Sequence, residues 1–412
     1  MTPALEKHAA FLHASYSVRT LKHPPMCEYR LVPSAGQPIR IGYLSSDFHN
    51  HATLFLLYGV LEQHDPRNVE IFIFSYGVPK NDEYSKRLLT LGVSVIDISG
   101  ETDEQAARKI FERRIDILVE LKGYTDGSRL GISGWRPAPI IVSWLGYPGT
   151  LGHPRLADYV ISDSVITPPD HASYFSERLA LMPHCYQPND RRAALLPPPT
   201  RSEAGLPDEG LVFCSFNQVF KFNPQTFDIW ARLIGSIQRS VLWLLAPRID
   251  QIRANIVKEF NNRGVNGDRI IFAQAAPHSR HLARMRLVDL ALDTFPYTSH
   301  TTGSDALWAG VPLVTGKGDT FASRVAASLL TTHGFPELIT DNDEDYFRLA
   351  LELATNTERR SNLKARLEQA RATSPLFNTV QFTSDLERLY RSIADNHNLP
   401  EQLRARAVGL PK

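Results

Sequence analysis

Short apolar runs alternate with helical stretches along most of the chain, and this alternation constrains the fold more than any other feature. From residue 39 the sequence runs through IRIGYLSSDF, ATLFLLYGVLEQH, VEIFIFSYG, EYSKRLLTLG, VSVIDIS, TDEQAARKIFERR and IDILVELKGY. Continuously apolar strands separated by helices of about 10 to 14 residues are typical of a parallel sheet covered on both faces. The sequence therefore predicts a doubly wound α/β domain.

The same alternation starts again at LVFCSFNQ, after a segment dense in proline, glycine and charge, LLPPPTRSEAGLPDEG. A chain of 412 residues is also too long for one ordinary hydrophobic core. Two Rossmann-like domains that face a central cleft are therefore expected, with helices at the C-terminus. We predict an N-terminal extension over 1–37, a first domain over 38–194, a linker over 195–210, a second domain over 211–380, and a C-terminal helix and tail over 381–412.

Charge and cysteine content exclude several function classes. The 45 Lys and Arg residues balance 44 Asp and Glu residues, so nothing in the net charge favours nucleic acid or an anionic membrane. The three cysteines, Cys27, Cys185 and Cys214, have no metal-ligand spacing, which fits a reducing compartment. No signal peptide or apolar stretch of about 18 residues is evident. We expect a soluble, cytoplasmic protein without a metal site.

Loops that follow strands carry the functional signals, because ligands bind at the carboxyl ends of parallel strands. In FPYTSHTTGSDALWAG, Thr302 and Asp305 have the spacing of a capping box at the start of a helix. The alternative is anion binding: Gly303 allows a close approach, and a helix start offers N–H groups to phosphate. Neither a P-loop nor a GxGxxG motif is present.

A lysine in the loop CSFNQVFKFNP follows the first strand of the second domain. Lys221 can reach the same edge of the sheet, where a diphosphate bound without metal needs a cation beside a helix N-terminus. An ordinary surface lysine is the alternative. Gln218 is its nearest polar companion.

Other loops are more ambiguous. His49 and His51 in SSDFHNHAT could supply a base or simply cap a helix. His278 and His281 lie at the start of a helix in AQAAPHSRHLARM. Their rings could be exposed to solvent or stack on a base, and solvent exposure is the simpler explanation. Asp116 lies at the start of a strand, where a structural role of its carboxylate is a simpler explanation than a catalytic role. The acidic run DNDED at 341–345 indicates a helix cap rather than a metal motif.

Taken together, these segments resemble the catalytic region of the O-linked N-acetylglucosamine transferases, glycosyltransferase family 41. The resemblance runs from about Ile39 to Ile393 through GYLSSDFHNH, RPAPIIVSWLGYPGT, FNQVFKFNP, VLWLLAP, RIIF, HTTGSDALWAGVPLVT and ASRVAASLL. It implies a GT-B fold and transfer of GlcNAc from UDP-GlcNAc to Ser or Thr of an acceptor protein. Members typically carry tetratricopeptide repeats, and no repeat of about 34 residues occurs in this sequence.

The resemblance also implies roles for individual residues. Lys221 would neutralise the diphosphate, and His51 would lie near the acceptor and the sugar. Asp116 stands where animal members have a histidine, so the proton acceptor is left open between Asp116, His51, a phosphate oxygen and water. The residues implied to bind the donor are Gln218, Ala276, His278, His281, His300, Thr301, Thr302, Asp305, Gly146, Tyr147 and Pro148, with His278 replacing a lysine of some members.

The implied reaction is an inverting transfer that needs no metal and no cofactor. Three alternatives remain open at this point. One is a relative that transfers hexose from UDP-glucose to protein Asn, since the nucleotide loops would be shared. The others are a UDP-GlcNAc 2-epimerase and an inactive UDP-sugar-binding protein.

Overall fold

A computed structural model describes residues 2–19, 23–27, 31–33, 36–190 and 195–410. The chain divides into two compact units, Met1–Asp190 with Asn378–Lys412, and Arg191–Phe377. Parts of the predicted extension, residues 191–194 at the end of the predicted first domain, and the last two residues of the tail lie outside the described residues.

The strands alternate with helices through both units, as the apolar pattern predicts. In chain order they are β1 (Ile39–Ser45), β2 (Val69–Ser75), β3 (Ser94–Asp97), β4 (Ile117–Glu120), β5 (Ile140–Ser143), β6 (Tyr159–Asp163), β7 (Arg178–Met182), β8 (Leu211–Ser215), β9 (Ser240–Leu245), β10 (Ile270–Ala273), β11 (Leu290–Leu292), β12 (Leu313–Gly316), β13 (Ile339–Thr340) and β14 (Ala407–Gly409).

The helices between and after these strands are α1 (Pro3–Arg19), α2 (Ala52–Gln63), α3 (Glu83–Leu89), α4 (Asp103–Glu112), α5 (Leu130–Gly134), α6 (Pro224–Gly235), α7 (Asp250–Asn261), α8 (His278–Met285), α9 (Thr301–Trp308), α10 (Val325–His333), α11 (Asp343–Thr355), α12 (Thr357–Ala370) and α13 (Thr379–Asn398). No helix in the described part of the chain combines the length and the apolarity that crossing a membrane requires.

Each unit contains one parallel sheet. The first has the strand order β14-β7-β6-β5-β4-β1-β2-β3, and the second has the order β10-β9-β8-β11-β12-β13. All neighbouring strands pair in parallel. Counted from the first strand of each unit, both sheets contain the order 3-2-1-4-5-6 of doubly wound nucleotide-binding domains. The predicted α/β class with two Rossmann-like domains of GT-B type is confirmed.

The continuous apolar runs form central strands because both faces of these sheets are covered. All residues of β4, β5 and β8 are buried. Helix α6 shows the complementary pattern, with buried Phe227, Trp230 and Ile234 on its inner face. The spacing of three and four residues between these side chains is that of one helical face.

The first and last helices both belong to the first unit. Helix α1 lies in the predicted N-terminal extension, and its backbone at Ala10 approaches Gly152 so closely that a side chain at position 152 would clash. In α13, the Glu387 carboxylate lies 2.9 Å from His64 Nδ1. The predicted linker 195–210 lies within the second unit, and the predicted tail begins three residues after the first unit resumes.

Candidate functional site

Each sheet has a point where the strand order reverses, between β1 and β4 in the first and between β8 and β11 in the second. Loops that follow two such strands leave toward opposite faces of the sheet, and a crevice opens between them. The loops after these four strands are therefore the places to look for functional side chains.

Asn217, two residues after β8, joins the two loops at the reversal point of the second sheet. Its Nδ2 donates to Ser299 Oγ at 2.8 Å. Its Oδ1 accepts from Lys221 Nζ at 3.3 Å and from Thr302 Oγ1 at 2.8 Å. One buried amide thus fixes the lysine relative to the start of α9.

The ammonium group of Lys221 is largely withdrawn from solvent. Its Nζ donates to the carbonyl oxygen of Thr298 at 2.8 Å and lies 4.2 Å from the centroid of the Tyr297 ring. Burial lowers the pKa of Lys221 to about 8, and the nearby carboxylate of Asp293 opposes that shift only in part. The lysine is therefore a cation at neutral pH that lacks a direct carboxylate partner among the described hydrogen bonds.

The carboxylate of Asp293, the first residue after β11, shapes the loop that leads to α9. It accepts from Ser299 N at 2.7 Å and from Thr315 Oγ1 at 2.6 Å. Burial raises the pKa of Asp293, and these hydrogen bonds counteract the shift. The loop is thereby held by the side chain of its own first residue.

The start of α9 differs from the predicted capping box. The residue in the cap position is His300, and its side chain accepts no hydrogen bond from the first turn. Thr302 donates its hydroxyl hydrogen to Asn217, and Asp305 pairs with His278. The capping-box prediction is wrong because both side chains have partners from other loops, so neither of them caps the start of α9.

His278 and Asp305 connect α8 to α9, with 3.0 Å between His278 Nε2 and Asp305 Oδ1. Burial lowers the pKa of His278, but the hydrogen bond and the negative charge of Asp305 outweigh it, so the net shift is upward. This pair therefore links the start of α8 to α9, the helix whose cap residue makes no side-chain cap.

The remaining predicted donor-binding residues of this unit surround the same loops. His281 is half-buried, lies 5.0 Å from the Phe216 ring centroid and accepts from Arg284 at 2.9 Å. Burial lowers the pKa of His281 to about 4, so its ring is neutral at pH 7. Ala276 and Gln218 are exposed, and His300 and Thr301 are half-buried beside Thr302.

The reversal point of the first sheet holds a buried ion pair. Lys122 Nζ lies 3.1 and 2.9 Å from the two carboxylate oxygens of Asp47. Asp47 follows β1 and Lys122 follows β4, so the pair ties the two loops together. Glu120 at the end of β4 accepts from Lys122 N at 3.0 Å and from Gly123 N at 2.5 Å, and burial raises the pKa of Glu120 to about 7.

His51 is the cap residue of α2. Its Nδ1 accepts a hydrogen bond from Thr53 N at 3.2 Å and lies 3.5 Å from Asp47 Oδ2. Burial is the main cause that lowers the pKa of His51, although 44% of the side chain is exposed. The sequence left a base and a cap as alternatives for this residue, and the cap is observed.

The predicted sugar-side residues Gly146, Tyr147 and Pro148 follow β5 and pack on the loop after β4. A Cβ at Gly146 would lie 2.0 Å from the carbonyl oxygen of Leu121, so only glycine fits there. The Cβ of Tyr147 covers Gly123 in the same way. The structure therefore brings this segment to the same edge of the sheet as Asp47 and His51.

Asp116 is not brought to that edge. It precedes β4, and its carboxylate accepts from Arg40 N at 2.9 Å. Arg40 is the second residue of β1. Because β1 and β4 run in parallel, Asp116 lies at their amino ends and His51 beyond the carboxyl end of β1. The placement agrees with the structural alternative that the sequence favoured for Asp116.

Four residues of these clusters were missed from the sequence: Asp47, Lys122, Asn217 and Asp293. Each is polar, buried and one or two residues beyond the end of a strand next to a reversal point. That position is a usable signal, since a buried polar side chain there has to find partners in the neighbouring loop. The interpretation of the sequence concentrated instead on residues farther along the loops after β1, β8 and β11, and on Asp116 just before β4.

Among the described residues, no group of three or more His, Cys, Asp or Glu side chains could hold a metal ion. The acidic run at 341–345 is a helix cap, as predicted, because the Asn342 side chain accepts from Asp345 N at the start of α11.

Comparisons with known proteins find a family model, curated relatives and a solved structure that match this chain. The family model described as "Glycosyl transferase family 41" matches residues 4–198 and 193–386. A probable UDP-N-acetylglucosamine–peptide N-acetylglucosaminyltransferase of Arabidopsis thaliana is 37% identical over 367 residues, which are 87% of this chain and 37% of the relative. The Caenorhabditis elegans enzyme of that name is 30% identical over 93% of this chain and 43% of its own length.

A solved structure is similar over nearly the whole chain. It is a mutant of the O-GlcNAc transferase of Thermobaculum terrenum, with a TM-score of 0.87 and 29% identity, and the match covers 96% of this chain and 74% of that one. The chain spans about two fifths of the length of the Arabidopsis and Caenorhabditis relatives.

Proposed function

The chain belongs to glycosyltransferase family 41, and on that premise we propose that it transfers N-acetylglucosamine from UDP-N-acetylglucosamine to serine or threonine hydroxyls of an acceptor protein. The names of the Arabidopsis and Caenorhabditis relatives contain this donor and a peptide acceptor. The name of the Thermobaculum enzyme contains the O-linkage. These names support the donor and the acceptor class proposed for this chain.

One observation carries the proposal: Asn217 ties a buried ammonium to an uncapped helix start. Lys221 Nζ and Thr302 Oγ1 share the same amide oxygen, at 3.3 and 2.8 Å. A diphosphate at the start of α9 would meet first-turn N–H groups and a cation together. This combination suits a leaving group that gains negative charge as its bond to the sugar breaks.

The proposed reaction is a single displacement with inversion. The acceptor oxygen bonds to the anomeric carbon, the bond from that carbon to the UDP oxygen breaks, and the hydroxyl proton passes to a base. Lys221 and the start of α9 stabilise the departing UDP without a metal ion.

Donor-binding roles are proposed for the residues around that loop. Gln218 would contact the diphosphate beside His300 and Thr301. The exposed loop at Ala276 would meet the uracil, and the neutral ring of His281 would flank it. These assignments rest on the family resemblance together with the placement of the side chains.

Asp305 would bind a ribose hydroxyl. Because Asp305 is already paired with His278, the two side chains would act there as a unit. Gly146, Tyr147 and Pro148 would line the sugar side in the first unit.

The test uses labelled UDP-N-acetylglucosamine with the purified chain, first for slow donor hydrolysis and then with host lysate as a source of acceptors. The Lys221→Ala variant should lose at least about a hundredfold in either rate, since it removes one charge stabiliser of the transition state. Lys317→Ala is the matched control, because Lys317 follows β12 and pairs with the exposed Asp341. Its rate should stay within about twofold of the wild-type rate.

Two further arms separate the alternatives. A chelator should leave the rate unchanged, and UDP-glucose should be the poorer donor. An active Lys221→Ala variant would contradict the proposed site. Loss of activity with the chelator would contradict the proposed metal independence, and faster turnover of UDP-glucose would contradict the proposed donor.

A further inference from the structure

A cavity of about 440 Å³ lies within the second unit, lined from the starts of α6 and α11 and from the end of β12. Ligand pockets in proteins typically have volumes of about 300–1,000 Å³. Asp293 and Phe295, in the loop that leads to α9, belong to its lining, whereas Lys221 and Thr302 are not among the lining residues. This α6–α11 cavity is therefore distinct from the proposed diphosphate site.

Apolar and aromatic side chains form much of the lining. They are Ile229 and Trp230 from α6, Phe295, and Tyr346 from α11. The Tyr346 hydroxyl group donates to the carbonyl oxygen of Asp293 at 3.0 Å, so this polar group already has a partner. A ligand in the cavity therefore gains most from an apolar body placed against these side chains.

Carboxylates supply most of the charge of the lining. Asp341, Asp343 and Glu344 lie just before or in the first turn of α11, and Lys317 is the basic residue among the lining side chains. Lys317 Nζ lies 3.2 Å from Asp341 Oδ1, and Arg232 Nη1 lies 2.6 Å from Glu344 Oε2. Two of the three carboxylates are therefore paired with cations of the chain itself.

Asp343 differs from these two neighbours. It is half-buried, and its carboxylate accepts a hydrogen bond from Gln225 Nε2, an uncharged donor. Among the ion pairs of the described residues, none joins Asp343 to a basic side chain. A carboxylate attracts a cation most strongly where no other cation already neutralises it. The cavity therefore offers one uncompensated negative charge beside an apolar and aromatic lining.

The helix starts at the cavity would favour an anion if their N–H groups were free. Both helices are capped: Asn223 accepts from Thr226 N at 2.9 Å, and the side chain of Asn342 caps α11 in the same way. The first residue of α6 is Pro224, which has no N–H group. The carboxylates in the first turn of α11 oppose its dipole. The charge of the lining therefore favours a cation.

We propose that the α6–α11 cavity binds a small organic cation, an ammonium or guanidinium group on an apolar body, with the charge at Asp343 and the body against the aromatic side chains. Cations bind favourably to the faces of Trp and Tyr rings as well as to carboxylates, so both parts of the lining select the same chemistry. The site is additional to the proposed sugar transfer and does not depend on it.

Three compounds with one apolar body and different charges test the proposal: phenylpropylamine, phenylpropanol and phenylpropionate. Ligand-observed NMR titration with the purified chain measures each Kd. Phenylpropylamine should bind at least about threefold more tightly than phenylpropanol, and phenylpropionate should bind more weakly than both. UDP should not displace the amine, because the two sites are distinct.

Asp343→Asn locates the charge of the bound amine. This substitution removes the charge and keeps the shape of the side chain, so the Kd of phenylpropylamine should rise at least about threefold, whereas that of phenylpropanol should not change. Asp345→Asn is the matched control, because Asp345 lies in the same helical turn, pairs with Arg348 and is not among the lining residues. It should leave both Kd values unchanged.

Ile229→Trp locates the apolar body of the amine. The larger side chain would occupy part of the cavity, so the affinity for both the amine and the alcohol should fall at least about fivefold. Thermal unfolding shows whether this variant is folded. If it is not, Asp343→Asn still decides the proposal.

Several results would overturn the proposal. They are no binding of phenylpropylamine up to about 10 mM, equal or tighter binding of the alcohol or the anion, displacement of the amine by UDP, and an amine affinity that Asp343→Asn leaves unchanged. Undiminished binding to a folded Ile229→Trp variant would overturn it as well. None of these measurements requires sugar transfer, so a failure of the proposed function and a failure of this site are distinguishable.

Discussion

The affinity for UDP should fall by about tenfold between pH 7 and pH 9, because Lys221 loses its proton within that range. Its pKa is lowered to about 8, mainly by burial. The side chain is therefore about 90% cation at pH 7 and about 10% cation at pH 9. The sign follows from the direction of the shift: a lowered lysine pKa means that the binding form disappears as the pH rises through 8.

The magnitude follows if the diphosphate binds only the cation. The apparent Kd then scales with 1 + 10^(pH − pKa), which is about 1.1 at pH 7 and about 11 at pH 9. The tenfold change corresponds to about 1.4 kcal/mol of binding free energy. A lysine with an ordinary pKa near 10.4 would change the affinity by only about 4% over the same range.

Isothermal titration of the chain with UDP at constant ionic strength measures this directly, since screening would otherwise change together with the pH. The matched variant Lys221→Gln keeps a side chain of similar length without a charge. It should bind more weakly at pH 7 and show no slope to pH 9. A flat wild-type affinity over this range, or the same slope in Lys221→Gln, would refute the assignment of the cation.

Three further outcomes are expected. Gly146→Ala should destabilise the first unit by at least about 2 kcal/mol, because its Cβ would meet a backbone oxygen at 2.0 Å. Gly149→Ala should destabilise it less, because its Cβ would meet only side-chain atoms, the Glu6 carboxylate at 2.5 Å and the Tyr147 ring at 3.2 Å, and thermal unfolding of the two variants compares them. Asp116→Asn should keep the transfer rate within about threefold of wild type, because Asp116 lies at the amino ends of the strands, and a loss beyond about a hundredfold would contradict that placement. Asp305→Asn should lower the pKa of His278 in an NMR titration, since the charge of Asp305 holds it up; an unchanged pKa would contradict the pairing.

The strands could be predicted because parallel strands buried on both faces leave continuous apolar runs in the sequence. β1 and β8 begin at the residues where those runs begin. β14 was not predicted, since it has only three residues and none of them is fully buried. It exists because it pairs with β7, a partner more than 200 residues away, and no local pattern records such a pairing.

The site was predictable only in part for a similar reason. Lys221 and Thr302 could be selected from the sequence, because a lone lysine can neutralise a diphosphate and a hydroxyl at a helix start can cap the helix or contact a phosphate. Asn217 does not stand out, yet its partners include Thr302, which is 85 residues further along the chain. A polar side chain that organises two loops is recognised only when the strand order shows that the loops are neighbours.

The failure at the start of α9 is itself informative. The Thr302–Asp305 spacing fits a cap, and a cap would stabilise the helix by about 1 kcal/mol, but the hydroxyl instead donates to Asn217 and the carboxylate pairs with His278. In the neighbouring loop, Lys221 is a largely buried cation with a lowered pKa. Both features cost stability in the unliganded chain, and both would be relieved by a bound anion. Local features that lower stability, and that one ligand would relieve together, are expected where a site is organised to bind that ligand. The missing cap of α9 therefore favours a diphosphate site more strongly than a cap formed by Thr302 and Asp305 would have done.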